Sequence, residues 1–167
     1  MENVRTIRTA TPADLDIIAA VEAECFPPSE AATAEQFAQR LEHYADHFLL
    51  MFEGSRLIAF VDGFATNERD LTDEMYENAA MHDEKGKWQM LFGVNTLPEY
   101  RKQGCAGELI ERFIAAAREQ GRSGVVLTCK DRLVRYYEKF GFVNEGLTEK
   151  STHGGVDWNQ MRLTFEH

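Results

Sequence analysis

The chain has 167 residues and a formal net charge of −10 at pH 7, from 18 Lys and Arg against 28 Asp and Glu. This length suits one folding unit with a sizeable core, so we predict a single domain over residues 1–167. The negative charge disfavours nucleic acid or an anionic membrane surface as a partner. It mildly favours a cationic substrate such as an amine. The alternative is that the acidic surface serves only to keep the protein soluble.

The three cysteines, Cys25, Cys105 and Cys129, form no Cys-x-x-Cys motif, and the five histidines show no metal-ligand spacing. This usage predicts a reducing compartment and no metal site. No long apolar run and no signal-peptide pattern is present. We therefore expect a cytoplasmic protein without a membrane partner.

The first third of the chain predicts a strand, two helices and a hairpin. The strand covers Val4 to Thr9, and Thr11-Pro12-Ala13-Asp14 is typical of a helix start. The apolar faces of the two helices consist of Leu15, Ile18, Val21 and Cys25, and then of Phe37, Leu41 and Tyr44 after a cap at Thr33. His47 to Glu53 and Arg56 to Ala65 predict the hairpin, with its turn at Gly54-Ser55.

The segment from Thr66 to Lys87 is irregular and heavily charged. Leu71 to Ala80 predicts a short helix, with Met75 and Ala79 on one side. We interpret the segment as an ordinary solvated excursion and keep a mobile flap over the substrate as the alternative.

The stretch from Trp88 to Phe142 predicts strand, loop, helix, strand and helix. Trp88 to Thr96 is an almost unbroken apolar run that Pro98 ends. After it, apolar residues recur at helical spacing: Leu109, Ile110, Phe113, Ile114 and Ala117. The second strand covers Gly124 to Cys129, and the second helix follows a cap at Asp131. Phe142 to Lys150 and Trp158 to Glu166 predict a terminal antiparallel pair.

The loop from Arg101 to Gly107 lies where the first of these helices begins. Free N–H groups and the positive end of the helix dipole favour an anion there. Gly104, Ala106 and Gly107 lack bulk, so a ligand can approach the backbone. The alternative is a plain strand-to-helix turn. The spacing fits neither a P-loop nor a GxGxxG fingerprint.

Three features in order along the chain resemble the GCN5-related N-acetyltransferase (GNAT) family. They are the opening from Ile7 to Ile18, the pattern of Arg101, Gly104 and Ala106 after Pro98 and Tyr100, and the segment YYEKFGF from Tyr136 to Phe142. Ser55 to Phe64 and Leu127 to Phe142 are most similar to the arylalkylamine N-acetyltransferase branch. The resemblance implies an α/β fold with about seven strands, a splayed central strand pair and about four flanking helices.

The resemblance also implies acetyl-CoA as cosubstrate. Its diphosphate would bind the loop residues, which are Arg101, Lys102, Gln103, Gly104, Cys105, Ala106 and Gly107. Its pantetheine would pair with the strand at Val94, Asn95 and Thr96, where one amide polarises the acetyl carbonyl. Tyr137 matches the family tyrosine that donates a proton to the departing thiolate, and its alternative role is a core tyrosine.

On the acceptor side, the resemblance points to Glu24 and Phe26, whose alternative roles are core and turn. Animal members of the branch carry His-x-His on the central strand, and this chain has Met90 and Phe92 there. Neither side chain accepts a proton, so three routes for the amine proton stay open. A water carries the proton to a distant carboxylate, an acid such as Glu24 accepts it, or the amine arrives already neutral. Met90 and Phe92 make the cleft more apolar, which suits an aromatic or alkyl amine.

The sequence therefore predicts an acetyl-CoA-dependent N-acetyltransferase that acts on a small-molecule amine by direct attack in a ternary complex. An arylalkylamine or a polyamine would fit, and protein N-termini or lysines stay open as acceptors. The alternative from another class is a non-catalytic CoA-binding or sensor module on the same fold, because the two histidines are missing. GNAT proteins often form dimers, although no feature of this sequence demands a homodimer.

Overall fold

The computed structural model describes residues 4–149 and 157–166. Those residues contain nine β-strands in two sheets and five α-helices, which confirms the mixed α/β class. The strands are β1 (Arg5–Thr9), β2 (Phe48–Glu53), β3 (Arg56–Asp62), β4 (Ala65–Thr66), β5 (Trp88–Leu91), β6 (Gly93–Thr96), β7 (Gly124–Cys129), β8 (Val143–Thr148) and β9 (Trp158–Thr164). The helices are α1 (Leu15–Cys25), α2 (Ala34–Tyr44), α3 (Asp73–Glu77), α4 (Cys105–Glu119) and α5 (Val134–Glu138).

The described residues form two compact units that interleave along the chain. The first unit holds residues 4–63 and 93–113, and the second holds 64–92, 114–149 and 157–166. Each unit therefore draws on segments that lie far apart in sequence. The single domain over residues 1–167 stays a prediction.

The first unit is built on a four-stranded sheet in the order β1-β2-β3-β6, and all three pairings are antiparallel. Helix α2 begins with a capping box, in which the Gln36 N–H donates to Thr33 Oγ1 at 3.1 Å and the Thr33 N–H donates to Gln36 Oε1 at 2.8 Å. This confirms the predicted cap. Its Phe37 ring meets Phe60 of β3 edge-on at 5.9 Å between centroids. Strand β6 lies at the edge of the sheet.

The second unit is built on a five-stranded sheet in the order β4-β5-β7-β9-β8. Only the β5–β7 pairing is parallel. The central strand β7 is almost wholly buried, as its apolar run predicted, with Val125 and Val126 fully excluded from solvent. Strands β8 and β9 pair antiparallel, which confirms the predicted terminal pair.

Two predicted strands are each divided between the sheets, which corrects the expected count of about seven. The stretch from Arg56 to Ala65 separates into β3 and β4, and the stretch from Trp88 to Thr96 separates into β5 and β6. Asp62 pairs with Gly93, whereas the Met90 N–H donates to the Phe64 carbonyl at 2.7 Å. The second stretch thus holds one extra residue at the break, as in a β-bulge, and that residue interrupts the ladder.

The segment from Thr66 to Lys87 is held to the second unit by a few buried side chains, while many of its residues are exposed, as the predicted solvated excursion implies. The short helix is present as α3, and Leu71, Met75 and Ala79 are buried. The Leu71 N–H donates to Gln160 Oε1 at 3.0 Å. Arg122, which is 4% exposed, donates to the Glu84 and Gly86 carbonyls at 3.1 and 2.6 Å. Burial and these hydrogen bonds anchor the segment along its length.

Helix α4 buries the predicted apolar face: Leu109, Ile110, Phe113, Ile114 and Ala117. Gly121 follows its last turn in the left-handed region at φ 79°, as expected for a glycine that ends a helix. Within residues 4–149 and 157–166, the chain forms no helix with the length and hydropathy needed to span a membrane.

Candidate functional site

The loop before α4 has the backbone conformation of an anion-binding turn. Lys102 adopts φ 65° and Gly104 adopts φ 82°, so two left-handed residues stand within one short turn. Lys102 is the one non-glycine residue with positive φ in the described chain. Left-handed residues in a turn bring successive N–H groups to one concave side, where they can surround an anion.

The N–H groups of this turn are available to a ligand. The first backbone bond of α4 runs from the Glu108 N–H to the Gly104 carbonyl at 3.1 Å. From Lys102 to Gly107, no N–H has a hydrogen-bond acceptor among the described residues. Six consecutive donors at the positive end of a 15-residue helix fit a diphosphate.

Several side chains of the loop are held by contacts within the first unit. Arg101 donates from Nε to the Thr96 carbonyl at 3.2 Å, and Gln103 donates from Nε2 to the Glu99 carbonyl at 3.2 Å. Lys102 is exposed and has no ion pair within the described ranges. Cys105 is buried under the first turn of the helix. The loop therefore adds positive charge from Arg101 and Lys102 beside the free donors.

Strand β6 presents backbone groups along its outer edge. The Leu97 N–H donates to the Ile58 carbonyl at 2.9 Å, and the register pairs Asn95 with Phe60. Because bonded and non-bonded pairs alternate in an antiparallel ladder, Val94 and Thr96 direct their N–H and C=O groups away from β3. In the described chain the Val94 groups have no partner. They are the groups that an extended pantetheine would bind.

Of the three predicted pantetheine residues, Val94 and Thr96 thus face the edge, and Asn95 bonds its backbone to β3 instead. The Thr96 carbonyl already accepts the Arg101 guanidinium and the Cys25 thiol, the latter at 3.3 Å. This contact ties the loop to the strand that precedes it. The side chain of Asn95 is 1% exposed and points into the first unit.

A buried cluster of charged groups lies beside β6 in the first unit. Glu22 of α1 is 6% exposed, Asp62 of β3 is 1% exposed and Arg40 of α2 is 4% exposed. Arg40 Nη1 contacts Asp62 Oδ2 at 3.0 Å. Glu22 Oε2 accepts the Ala32 N–H at 2.8 Å, and no ion pair to Glu22 is present in the described residues. Two buried carboxyl groups thus lie near one guanidinium, which pairs with Asp62.

Three polar atoms of this cluster converge in front of Gly93. A β-carbon placed on Gly93 would lie 3.0 Å from Asp62 Oδ1, 3.2 Å from Asn95 Nδ2 and 4.0 Å from Glu22 Oε1. Asp62 Oδ1 and both amide atoms of Asn95 have no hydrogen-bond partner in the part of the chain that the structure describes. Buried polar atoms without partners are costly, so a ligand or a water that bonds them would be stabilised here.

Burial gives Glu22 an unusual proton affinity. Desolvation raises the pKa of its carboxyl to about 7, and the charge of Asp62 acts in the same direction. The Ala32 N–H, the Arg40 guanidinium and the nearby Asn95 side chain oppose this rise in pKa. Glu22 therefore exchanges a proton near neutral pH, as a general base must.

The sequence carried a signal for the burial of Glu22, which lies two residues before the predicted acceptor residue Glu24. Glu22 stands four residues after Ile18 and three before Cys25, on the predicted apolar face of α1. A carboxylate on such a face is buried, whereas Glu24 lies on the exposed side. Phe26 ends the helix, and its N–H donates to the Glu22 carbonyl at 3.1 Å. Asp62 is likewise an acid inside an apolar strand.

Tyr137 lies in the second unit, on helix α5. Its side chain is 7% exposed, and its ring packs edge-on against Tyr136 and Phe142 at centroid distances of 5.2 and 6.1 Å. Burial raises its pKa above the ordinary value, and Cys129, Tyr136 and Tyr76 raise that pKa further. The phenol therefore keeps its proton at neutral pH. Its packing fits a core tyrosine, and its retained proton fits a proton donor.

The residues at the predicted acceptor positions of β5 differ in exposure. Met90 is fully buried, so it contributes to the core of the second unit. Phe92 follows β5, is partly exposed, and packs against Phe64 at 5.0 Å and Tyr76 at 4.9 Å between centroids. Tyr76 Oη lies 3.0 Å from Thr128 Oγ1. Phe92 and Tyr76 thus form an aromatic surface in this unit.

Comparison with known proteins shows the family to which this chain belongs. A model described as an acetyltransferase (GNAT) domain matches residues 6–143. The chain is 30% identical over 140 residues to the serotonin N-acetyltransferase of Mesocricetus auratus. That alignment covers 81% of this chain and 66% of the relative, so the chain spans somewhat less than two thirds of that protein.

Solved structures share the fold at low sequence identity. The loading GNATL domain of CurA from Lyngbya majuscula aligns with a TM-score of 0.84 at 17% identity, over 97% of this chain and 98% of that one. The GNAT-like decarboxylase GphF, in complex with isobutyryl-CoA, aligns with a TM-score of 0.81 at 20% identity, over 95% and 98%. These likenesses show the fold alone, and they confirm the predicted GNAT architecture.

The raised pKa of Glu22 predicts a pH-dependent stability. The pKa of Glu22 is about 7 in the folded chain and 4.5 as the ordinary value, so the folded state binds its proton more tightly. The free energy of unfolding of the wild-type chain therefore decreases as pH rises from 4.5 to about 7, and it stays lower at higher pH. Glu22→Gln removes this loss. Relative to wild type, its free energy of unfolding should gain about 2.5 kcal/mol between pH 5 and pH 8. Urea unfolding at both pH values measures the gain. The exposed Glu24→Gln should show no such gain, and equal behaviour of the two variants would contradict the assignment.

Proposed function

Because the chain belongs to the GNAT acetyltransferase family, we propose that it transfers an acetyl group from acetyl-CoA to a primary amine of a small molecule. GNAT acetyltransferases use acetyl-CoA as cosubstrate. The transfer takes place by direct attack of the amine in a ternary complex. The reaction requires a held coenzyme, a donor for the developing oxyanion, a neutral amine and an acid for the thiolate.

The observation that carries the proposal is the row of free donors from Lys102 to Gly107. Orphan N–H groups at the start of α4 fit the diphosphate of the coenzyme, and Arg101 and Lys102 add positive charge. Every helix start leaves about four N–H groups without intrahelical acceptors, and the turn before α4 adds those of Lys102 and Gln103 to them. The bound coenzyme would supply an acetyl thioester as the acyl donor.

The edge of β6 supports the positioning of that thioester. Val94 offers an N–H and a C=O that the sheet does not use. The C=O suits the amide N–H groups of pantetheine, and the N–H suits the oxygen of the acetyl group. A backbone N–H held by a strand is pre-organised, so it stabilises the charge that develops in the transition state without reorganisation.

Tyr137 is the proposed proton donor to the departing thiolate. Its phenol stays protonated at neutral pH because burial raises its pKa. The ordinary pKa of a phenol, about 10, lies above that of a thiol, about 8.5, so Tyr137 reaches the reaction protonated and would stabilise the departing thiolate through the hydrogen bond that it donates. The neighbouring Tyr136 is half-buried in the same helix, so removal of its hydroxyl is a matched control for removal of the Tyr137 hydroxyl.

A small aromatic or alkyl amine is the proposed acceptor. The serotonin N-acetyltransferase of Mesocricetus auratus is named for such an amine. Phe92 and Tyr76 offer a ring surface, and the net charge of −10 favours a cation over an anion. Polyamines, protein N-termini and lysines are the competing acceptors.

A non-catalytic CoA-binding or sensor module is the second candidate, and the absence of histidine at residues 90 and 92 motivates it. A panel of amines with thiol detection separates the two functions. We expect CoA release from acetyl-CoA with at least one arylalkylamine, and slower or no release with N-terminal peptides and aminoglycosides. Acetyl-CoA binding without CoA release on any amine would favour the module.

Gly104→Glu tests the diphosphate site. A carboxylate among the free donors repels the anion, so the affinity for CoA should fall at least tenfold. This corresponds to a loss of about 1.4 kcal/mol or more of binding free energy. Gly121→Glu is the matched control, because Gly121 has nearly the same φ and equally open surroundings at the other end of α4. Titration calorimetry with CoA and with S-acetylpantetheine measures both. Equal affinity for CoA in wild type and Gly104→Glu would rule out the loop.

Tyr137→Phe tests the proton donor. Turnover should fall about tenfold to a hundredfold, as is usual when one general acid is removed. The affinity for acetyl-CoA should change less than twofold, because the phenol acts on the leaving group. Tyr136→Phe removes a neighbouring hydroxyl and should retain turnover. A Tyr137→Phe protein with wild-type turnover would leave Tyr137 with a packing role only.

A further inference from the structure

We propose that Arg5 of the first strand is a positioning residue for the coenzyme loop, which consists of residues 101–107. Its guanidinium holds Gln103 and Cys105 in the places that the anion-binding turn requires. The inference rests on the proposed acetyl transfer and deepens it, because it concerns how the diphosphate site keeps its shape before the coenzyme binds. Arg5 and Gln103 are 98 residues apart in the sequence, so only the fold brings them together.

The first support is the set of contacts that the Arg5 guanidinium makes in the first unit. Nη2 donates to Gln103 Oε1 at 2.5 Å, and Nη1 lies 3.6 Å from Cys105 Sγ. Nε donates to Glu53 Oε2 of strand β2 at 3.2 Å, and the guanidinium lies 5.8 Å from the centre of the Tyr100 ring. The bond to β2 orients the planar guanidinium, so its two remaining nitrogens point at the loop.

The second support is the strained residue that these contacts adjoin. Lys102 has a positive φ of 65°, and a non-glycine residue keeps such a conformation only where its surroundings hold it. Packing of its own side chain does not hold it, because that side chain is exposed. Its neighbours are held instead: Arg101 donates to the Thr96 carbonyl, and Gln103 is bonded through both its amide oxygen and its amide nitrogen.

The third support is that Arg5 connects the turn to the sheet. In the described chain, the other side-chain hydrogen bonds of Gln103 and Cys105 run to the carbonyls of Glu99 and Tyr100, which lie four and five residues earlier. Such local contacts move together with the turn. Arg5 is bonded to β2 as well as to the loop, so it fixes the turn against a rigid element.

A turn that is already formed increases the affinity for the coenzyme. Where Lys102 leaves the left-handed region in part of the free protein, only the remaining fraction binds, and the measured affinity falls by that fraction. The positive charge of Arg5 could also attract the diphosphate directly. The geometry favours the role in the turn, because each of the three guanidinium nitrogens already contacts a protein group.

Arg56 is the matched control for the charge. It is exposed, its guanidinium lies 5.5 Å from the centre of the same Tyr100 ring, and it donates to Glu99 Oε2 at 2.8 Å. Within the described residues it bonds no member of the coenzyme loop. It therefore carries the same charge beside the same tyrosine without holding the turn.

Arg5→Lys and Arg5→Gln test the role, because lysine keeps the charge and loses the forked contact. In titration calorimetry, both variants should bind CoA about fivefold to tenfold more weakly than wild type. Arg56→Lys and Arg56→Gln should stay within twofold. The affinity for S-acetylpantetheine, which lacks the diphosphate, should stay within twofold in all five proteins. Wild-type affinity for CoA in Arg5→Lys would overturn the inference.

Lys102→Gly gives an independent test, because glycine takes a positive φ without strain. In the Lys102→Gly background, Arg5→Lys should weaken CoA binding less than twofold, since the turn no longer needs to be held. A loss as large as in the Lys102 background would mean that Arg5 acts on something other than the turn, and it would overturn the inference.

Kinetics give a readout that a purely structural role would not move. With the best amine of the panel, Arg5→Lys should raise KM for acetyl-CoA about fivefold to tenfold and keep kcat within twofold. Thermal melting checks that each variant is folded. If the Arg5 variants do not fold, Gln103→Leu removes the loop side of the contact and should weaken CoA binding by the same factor, and wild-type affinity there would overturn the inference.

The two proposals fail in different ways. A wild type that binds CoA, with an Arg5→Lys protein of equal affinity, overturns the role of Arg5 and leaves the acetyltransferase proposal intact. A wild type that binds no CoA overturns both.

Discussion

The structure of the coenzyme side depends on the unused N–H groups at the beginning of α4. A helix start leaves its first donors without acceptors, and in this chain the preceding turn adds more of them through left-handed Lys102 and Gly104. Donors without partners are costly unless a ligand or solvent binds them. Because these N–H groups lie at the positive end of a long helix, they favour binding of an anion. Because there are several of them, they favour an anion with several oxygen atoms. In the proposed function the diphosphate of acetyl-CoA is that anion, and the edge of β6 would receive the thioester arm.

A second constraint acts on the acceptor side, where the first unit buries two carboxyl groups against one guanidinium. Burial of charge opposes folding and raises the pKa of the Asp62 carboxyl, and the ion pair with Arg40 opposes that rise. Glu22 has no ion pair in the described chain, and burial raises the pKa of its carboxyl to about 7. The cost in stability above neutral pH follows from this raised pKa.

Much of the fold and of the coenzyme loop follows from the sequence, because periodicity, caps and glycines act locally. The capping box at Thr33, the helix from Cys105 and the terminal strand pair needed no tertiary knowledge. The division of two apolar stretches between two sheets was not predicted, because one extra residue in a strand ladder does not change the hydrophobic pattern of the sequence. Glu22 was missed although its helical spacing signalled burial. Its raised pKa depends on Asp62 and on desolvation, which only packing creates.

The most direct measurement of the central claim is a titration of ¹⁵N-labelled protein with CoA, followed through the backbone amide resonances. The account predicts that the largest shifts fall on the amides from Lys102 to Gly107, with the Val94 amide next, and that the Gly121 amide at the far end of α4 changes little. Saturable binding that leaves the resonances from Lys102 to Gly107 in place, with the large shifts elsewhere, would contradict it.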